Sequence, residues 1–92
     1  MIIGVPKEIY PEERRVALVP RGVEALKKMG FEILVESGAG INADYGNPKY
    51  EEVGAEIVTT TKELWSRSDI IVKVREPQSN EVNLLKSSGT II

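Results

Sequence analysis

Short apolar runs, mostly β-branched, alternate with amphipathic or polar stretches along the chain, and proline or glycine punctuates nearly every change. This alternation constrains the fold most, because strands separated by crossover helices join a sheet in parallel. Ile2-Ile3-Gly4-Val5 is such a run, and Pro6 closes it, which predicts a buried strand. The segment 11–15 is polar and turn-prone, after which Val16-Ala17-Leu18-Val19 returns to the core and stops at Pro20. From Val19 onward, Val23, Leu26 and Met29 recur at three- and four-residue steps with Arg21, Glu24, Lys27 and Lys28 between them, the pattern of an amphipathic helix. Gly30 is predicted as its left-handed C′ residue, with Phe31 folding back on the last turn.

Phe31-Glu32-Ile33-Leu34-Val35 predicts a second strand, broken by Ser37-Gly38-Ala39-Gly40. Pro48 opens a short helix through Val53 that Gly54 ends, and Ala55-Glu56-Ile57-Val58 is a third strand. Thr60 and Glu63 form a capping box for a helix of one or two turns that carries Leu64 and Trp65, the tryptophan read as packing against the core in preference to an interface anchor. Ile70-Ile71-Val72-Lys73-Val74 is the strongest strand. Ser79 caps a helix over 81–86, and Thr90-Ile91-Ile92 begins a fifth strand. The expected fold class is therefore α/β, an open parallel sheet of about five strands with flanking helices, a Rossmann-like or flavodoxin-like three-layer domain. All 92 residues form one domain, and two terminal isoleucines suggest an N-terminal fragment of a longer chain.

Composition narrows the chemistry. Twelve Lys and Arg against fourteen Asp and Glu give a net charge of −2, too little positive charge for a nucleic-acid partner. With no cysteine and no histidine, thiol nucleophiles, Cys/His metal sites and an imidazole base are excluded, so any proton transfer falls to Lys, Tyr or carboxylates. Open α/β sheets collect ligands at the carboxyl ends of their strands. There, Lys7, Glu8, Arg14 and Arg15 follow the first strand, while Lys73 and Arg75 follow the fourth and, as alternate strand residues, share one face. Cations on adjacent strand ends suggest an anion site, because an arginine fork grips a carboxylate or phosphate and a lysine adds a point charge. The alternative is that these charges are solvated and paired with Glu8, Glu12, Glu13 and Glu76. Glu12-Glu13 reads as a solvated pair in a turn, whereas Lys73 interrupts an apolar run and must lay its stem along the sheet. Gly38-Ala39-Gly40-Ile41-Asn42-Ala43 has the outline of a dinucleotide fingerprint, but Asp44, Gly46, Asn47 and Pro48 stand where the long helix should run, so a turn is predicted. Tyr45 and Tyr50 are read as lids over the core.

Five motifs carry a resemblance. Ile3-Gly4-Val5-Pro6-Lys7-Glu8, Glu13-Arg14-Arg15-Val16-Ala17-Leu18 to Pro20, Val35-Glu36-Ser37-Gly38-Ala39-Gly40, Gly54-Ala55 and Val72-Lys73-Val74-Arg75-Glu76-Pro77 resemble, in order, the N-terminal region shared by alanine dehydrogenases and NAD(P) transhydrogenase alpha chains. The Arg14-Arg15 doublet, Arg75 and Leu84-Leu85-Lys86-Ser87-Ser88-Gly89-Thr90 look more like the transhydrogenase. That resemblance implies a longer chain whose Rossmann domain, holding NAD(H), lies beyond Ile92, so no hydride transfer is expected from residues 1–92 alone. A partner component would hold NADP(H), a membrane component would couple hydride transfer to proton translocation, and the chain would be a homodimer with no metal. Its place would be the cytoplasmic face of a bacterial-type membrane, or the matrix-like side of an organelle membrane. In the alanine dehydrogenase alternative, the resemblance implies that Arg15 grips pyruvate or alanine, with Arg75 standing where that family has Lys. The cleft residues expected are Arg15, Arg75 and Lys73, with no catalytic group and no cofactor ligand within the fragment. A free-standing anion-binding module is the remaining alternative.

Overall fold

The apolar run Ile2–Val5 (β1) becomes the central strand of a five-stranded sheet. It pairs in parallel with β2 (Glu32–Glu36) on one side and β4 (Ile70–Ile71) on the other. β3 (Glu56–Val58) adds beyond β2 and β5 (Thr90–Ile91) beyond β4, both parallel, giving the order β3-β2-β1-β4-β5. The computed structural model showing this arrangement describes residues 1–75, 81, 84 and 90–92. After β3 the chain returns across the sheet, so strand order reverses between β1 and β4, and this switch point is where ligands of such sheets bind.

Alternation along the strands supplies two cores. Ile3 and Val5 of β1 with Ile33 and Val35 of β2 pack against Val23 of α1 (Pro20–Lys28) and Tyr50 of α2 (Asn47–Glu52). Leu34, Val58 and Ile71, on the opposite face, pack against Leu64 and Trp65 of α3 (Thr61–Arg67). Each such aliphatic side chain, fully buried, contributes about 1.5–3 kcal/mol, so both helical layers are held mainly by sheet contacts. This is the expected three-layer α/β domain, with Trp65 and Tyr50 fully buried. The Tyr50 hydroxyl donates to the Leu18 carbonyl at 2.8 Å and so ties α2 to the segment before α1.

Helix ends follow the predicted chemistry. Gly30 (φ 97°) donates to Lys27 O at 3.0 Å and Phe31 to Leu26 O at 3.2 Å, the paired bonds of a Schellman motif. At the start of α3 the Thr60 side chain accepts from the Glu63 N–H at 3.1 Å, while the Glu63 carboxylate pairs with Arg67. Two expectations change. β4 ends at Ile71 rather than Val74, because Pro6 has no N–H with which to extend the ladder beside β1. Lys73 and Arg75 therefore do not share a strand face. The helix expected over 81–86 lies, apart from Glu81 and Leu84, outside the described residues.

Gly4 decides how close α3 comes to the central strand. Its missing side chain makes room for the buried Ser68, whose hydroxyl donates to Leu64 O at 2.6 Å. A Cβ at Gly4 would overlap Ser68 and sit 3.1 Å from Ile71 Cδ1. Gly4→Ala is therefore expected to cost about 1–3 kcal/mol through overpacking, read from the urea unfolding midpoint. A variant as stable as the parent would contradict this packing.

Candidate anion-binding site

Two segments meet at the switch point: the loop that leaves β1 and carries residues 6–19, and the segment 72–75 that leaves β4. Glu8 joins them. Its Oε2 accepts the Val74 N–H at 2.9 Å, and its Oε1 accepts the Arg75 N–H at 3.3 Å. The Lys73 ammonium also donates to Glu8 Oε1, at 3.2 Å, and to Glu81 Oε2 at 3.3 Å. All three side chains are covered, Lys73 at 1% exposure and both glutamates at 3%. One carboxylate 65 residues away in sequence thus terminates three consecutive donors at the end of β4. A lysine can be buried only where carboxylates compensate its charge, as they do here.

Residues 10–15 and Arg75 line an open recess of about 650 Å³ beside this cluster. The Arg15 side chain is 70% exposed. Arg75 stacks its guanidinium 4.2 Å above the Tyr10 ring. Glu13 sits between the two arginines. Its Oε2 accepts from Arg15 Nε at 2.8 Å and from the Arg15 backbone N–H at 2.9 Å, and its Oε1 accepts from Nη2 at 2.8 Å. Arg75 Nη1 lies 3.9 Å from the same Oε1. These contacts, first the Arg15 side-chain hydrogen bonds and then its backbone N–H, hold the Glu13 carboxyl down at about 2. Because that value is depressed, the pairing is complete above the ordinary glutamate range and is lost only as the pH falls towards 2. The Glu13 side chain is 4% exposed, covered by its neighbours at the rim and not by depth, so the expectation of a solvated Glu12-Glu13 pair holds for Glu12, which is exposed, and is corrected for Glu13.

Of the three cleft residues predicted, Arg15 and Arg75 line one recess. Lys73 does not line it, because Glu8 and Glu81 draw its ammonium inward. The alternative that paired these cations with Glu8 and Glu13 is seen in part, Lys73 with Glu8 and Arg15 with Glu13. Sequence reasoning missed the hold of Glu8 on the Val74 and Arg75 N–H groups and the stacking of Tyr10. The available signal for Glu13 was its spacing from Arg15, since a glutamate two residues before an arginine can reach both its N–H and its fork.

The glycine-rich loop does not fit a dinucleotide. Gly38 N–H already donates to Asn47 Oδ1 at 2.9 Å and Ala39 N–H to Glu36 O at 2.9 Å. Gly40 then leads into a three-residue 3₁₀ turn (Ile41–Ala43), which offers no long helix N-terminus to a pyrophosphate. Glu36 instead braces the loop after β1, accepting the Lys7 N–H at 2.9 Å and the Thr61 hydroxyl at 2.6 Å.

Removing Glu8 leaves a covered ammonium with one of its two partners and strips the acceptor from two backbone N–H groups. Glu8→Ala is expected to cost about 3 kcal/mol in urea unfolding, and Glu8→Gln, which keeps an acceptor oxygen, less. Equal stability of Glu8→Ala and the parent would show that the cluster contributes nothing.

Comparison with known proteins places these features in a family. Residues 4–92 match the family model described as alanine dehydrogenase/PNT, N-terminal domain. The chain is 44% identical over 86 residues to an alanine dehydrogenase of Methanococcus maripaludis, covering 94% of this chain and 23% of that protein. It is 48% identical over 81 residues to one of Bacillus subtilis, covering 88% of this chain and 21% of that protein. Among solved structures, a transhydrogenase from Sinorhizobium meliloti superposes with a TM-score of 0.94 at 34% identity, over 99% of this chain and 27% of that one. An L-alanine dehydrogenase superposes with a TM-score of 0.93 at 40% identity, over 99% of this chain and 25% of that one. The chain thus spans about a quarter of the length of the proteins it matches. With its sheet order, its five ordered motifs and this match over nearly all its length, the chain belongs to the alanine dehydrogenase/PNT N-terminal domain family.

Proposed function

We propose that this domain forms the carboxylate-gripping wall of an NAD(H)-dependent alanine dehydrogenase, an oxidoreductase that interconverts alanine and pyruvate. The observation that carries the reading is the meeting of Arg15 and Arg75 on one recess at the switch point between β1 and β4. Two guanidinium groups from different loops can hold a small carboxylate in a fixed orientation, with charge-assisted hydrogen bonds supplying grip and register. The curated relatives named above carry the name alanine dehydrogenase, which favours this activity over the transhydrogenase expected from the motifs. NAD(H), bound to a Rossmann domain beyond Ile92, supplies the hydride chemistry. The residues of this chain bind and orient the acid. Arg15 takes its carboxylate, Arg75 takes the place of the family's Lys as the second arm, and Lys73 fixes the end of β4.

A transhydrogenase is the second reading, and two observations favour it: the likeness to the Sinorhizobium meliloti structure, and arginine rather than lysine at position 75. In that reading the recess borders the cleft without gripping a substrate, the chain works as a homodimer, and NADP(H) and proton translocation belong to partner components at a membrane. No helix among the described residues is long and apolar enough to cross a membrane.

The test is made on the complete protein. The proposal expects pyruvate- and ammonium-dependent oxidation of NADH, with Arg15→Ala raising the KM for pyruvate about a hundredfold and leaving the KM for NADH unchanged. Hydride transfer to an NADP analogue without pyruvate turnover would establish the second reading instead. Loss of NADH affinity alone in Arg15→Ala would contradict both.

A further inference from the structure

Glu13 occupies one particular part of the Arg15 fork. Nε and Nη2, the two guanidinium nitrogens that donate to Glu13, form one edge of the planar group. The other edge, made by Nη1 and Nη2, remains available for a second bidentate pairing. Glu13 is the one hydrogen-bond partner of the Arg15 side chain among the described residues, and the 70% exposure of Arg15 gives a ligand access to that free edge. Free arginine side chains sample many rotamers, and pinning one edge and the backbone N–H to a single carboxylate removes much of that freedom before any ligand arrives.

The charge around the recess leads to the same residue. Among the described residues that line the recess, Arg14, Arg15 and Arg75 stand with Glu12 and Glu13, three cations to two carboxylates, so this lining carries one net positive charge. The Glu13 carboxylate reaches both gripping side chains, in contact with the Arg15 guanidinium and 3.9 Å from that of Arg75. Its depressed ionisation range keeps its charge in place at any pH used for an assay.

We infer that Glu13 is a positioning and specificity-determining residue: it aligns Arg15 for a ligand carboxylate and, by cancelling one positive charge, selects ligands with one carboxylate over ligands with two. The inference rests on the carboxylate reading of the recess given above. It assigns Glu13 a permanent place beside the bound acid. A resident carboxylate that merely blocked the site would have to leave when the acid entered.

The probes are acetate and malonate, titrated at constant ionic strength into the complete protein carrying ¹⁵N-labelled arginine, with the Arg15 Nε–H resonance as readout. In the parent, acetate is expected to shift this resonance and malonate to bind no more tightly than acetate. In Glu13→Gln, acetate affinity is expected to fall and the malonate-to-acetate affinity ratio to rise, each about tenfold. A purely structural role would weaken both anions in proportion and leave the ratio unmoved, which would overturn the inference. Tighter acetate binding in Glu13→Gln would overturn it too, by making Glu13 a competitor of the ligand. Glu13→Asp keeps the charge and shortens the reach, so acetate should weaken while the ratio stays at its parental value. That variant decides the matter if Glu13→Gln does not fold, and acetate affinity at the parental level in Glu13→Asp would overturn the positioning role. An acetate response at Arg15 in a protein that does not turn over pyruvate would contradict the dehydrogenase activity alone. No acetate response at Arg15 in the parent would overturn both.

Discussion

The contact between Glu8 and the end of β4 is the constraint on which the site depends. A loop leaving a central strand has no intrinsic reason to lie beside the segment leaving its neighbour, because both run over the surface and could take many paths. Glu8 removes that freedom by accepting from Lys73, Val74 and Arg75 together. The ladder beside β1 stops at Pro6, so the Val74 and Arg75 N–H groups would otherwise lack a partner within the sheet. A break in one hydrogen-bonding pattern thus becomes the anchor of another. Because Lys73 is covered, the anchor is all-or-none: an ammonium in that position needs its carboxylates, and they in turn need it.

From this anchor outward, burial gives way to exposure in an order that suits binding. Glu8, Lys73 and Glu81 are covered and fixed, the Glu13 carboxylate is shielded at the rim, and Arg15 projects into solvent. Effective dielectric rises along the same path, so the inner pairs set geometry, while the outer guanidinium stays free enough of its neighbours to exchange water for a ligand. Tyr10 completes the arrangement by stacking under Arg75, a cation–π contact that limits where the longer side chain can swing. In the dehydrogenase reading, arginine at position 75 is accommodated by this stack, since a planar guanidinium can lie flat against the ring face.

Much of the fold was legible in the sequence because local and global signals agree. The Schellman end at Gly30 and Phe31, the Thr60 cap and the unbroken apolar run Ile33-Leu34-Val35 each specify one outcome. The reach of β4 was not legible, because Val72-Lys73-Val74 has full strand character and its early exit is decided by Pro6 on the neighbouring strand. Arg15 and Arg75 were found by residue type and place at the strand ends. Lys73 was placed in the cleft because alternation on a continuous strand would have put it beside Arg75. What turned it inward is its pairing with Glu8 and Glu81, long-range contacts that no local pattern encodes. Glu13 was legible only as one of several partners for the cations, because a glutamate in a charged turn resembles a solvated residue until the backbone brings its carboxylate under Arg15, two residues on.

The central claim is that the recess grips a small carboxylate through Arg15 and Arg75. A crystal structure of the complete protein soaked with pyruvate tests it most directly. The account predicts carboxylate oxygens about 2.7–2.9 Å from guanidinium nitrogens of both arginines, with the Arg15 contact on its Nη1/Nη2 edge and Glu13 still bound to the other. Pyruvate bound elsewhere, or bound in the recess without touching either arginine, would contradict it.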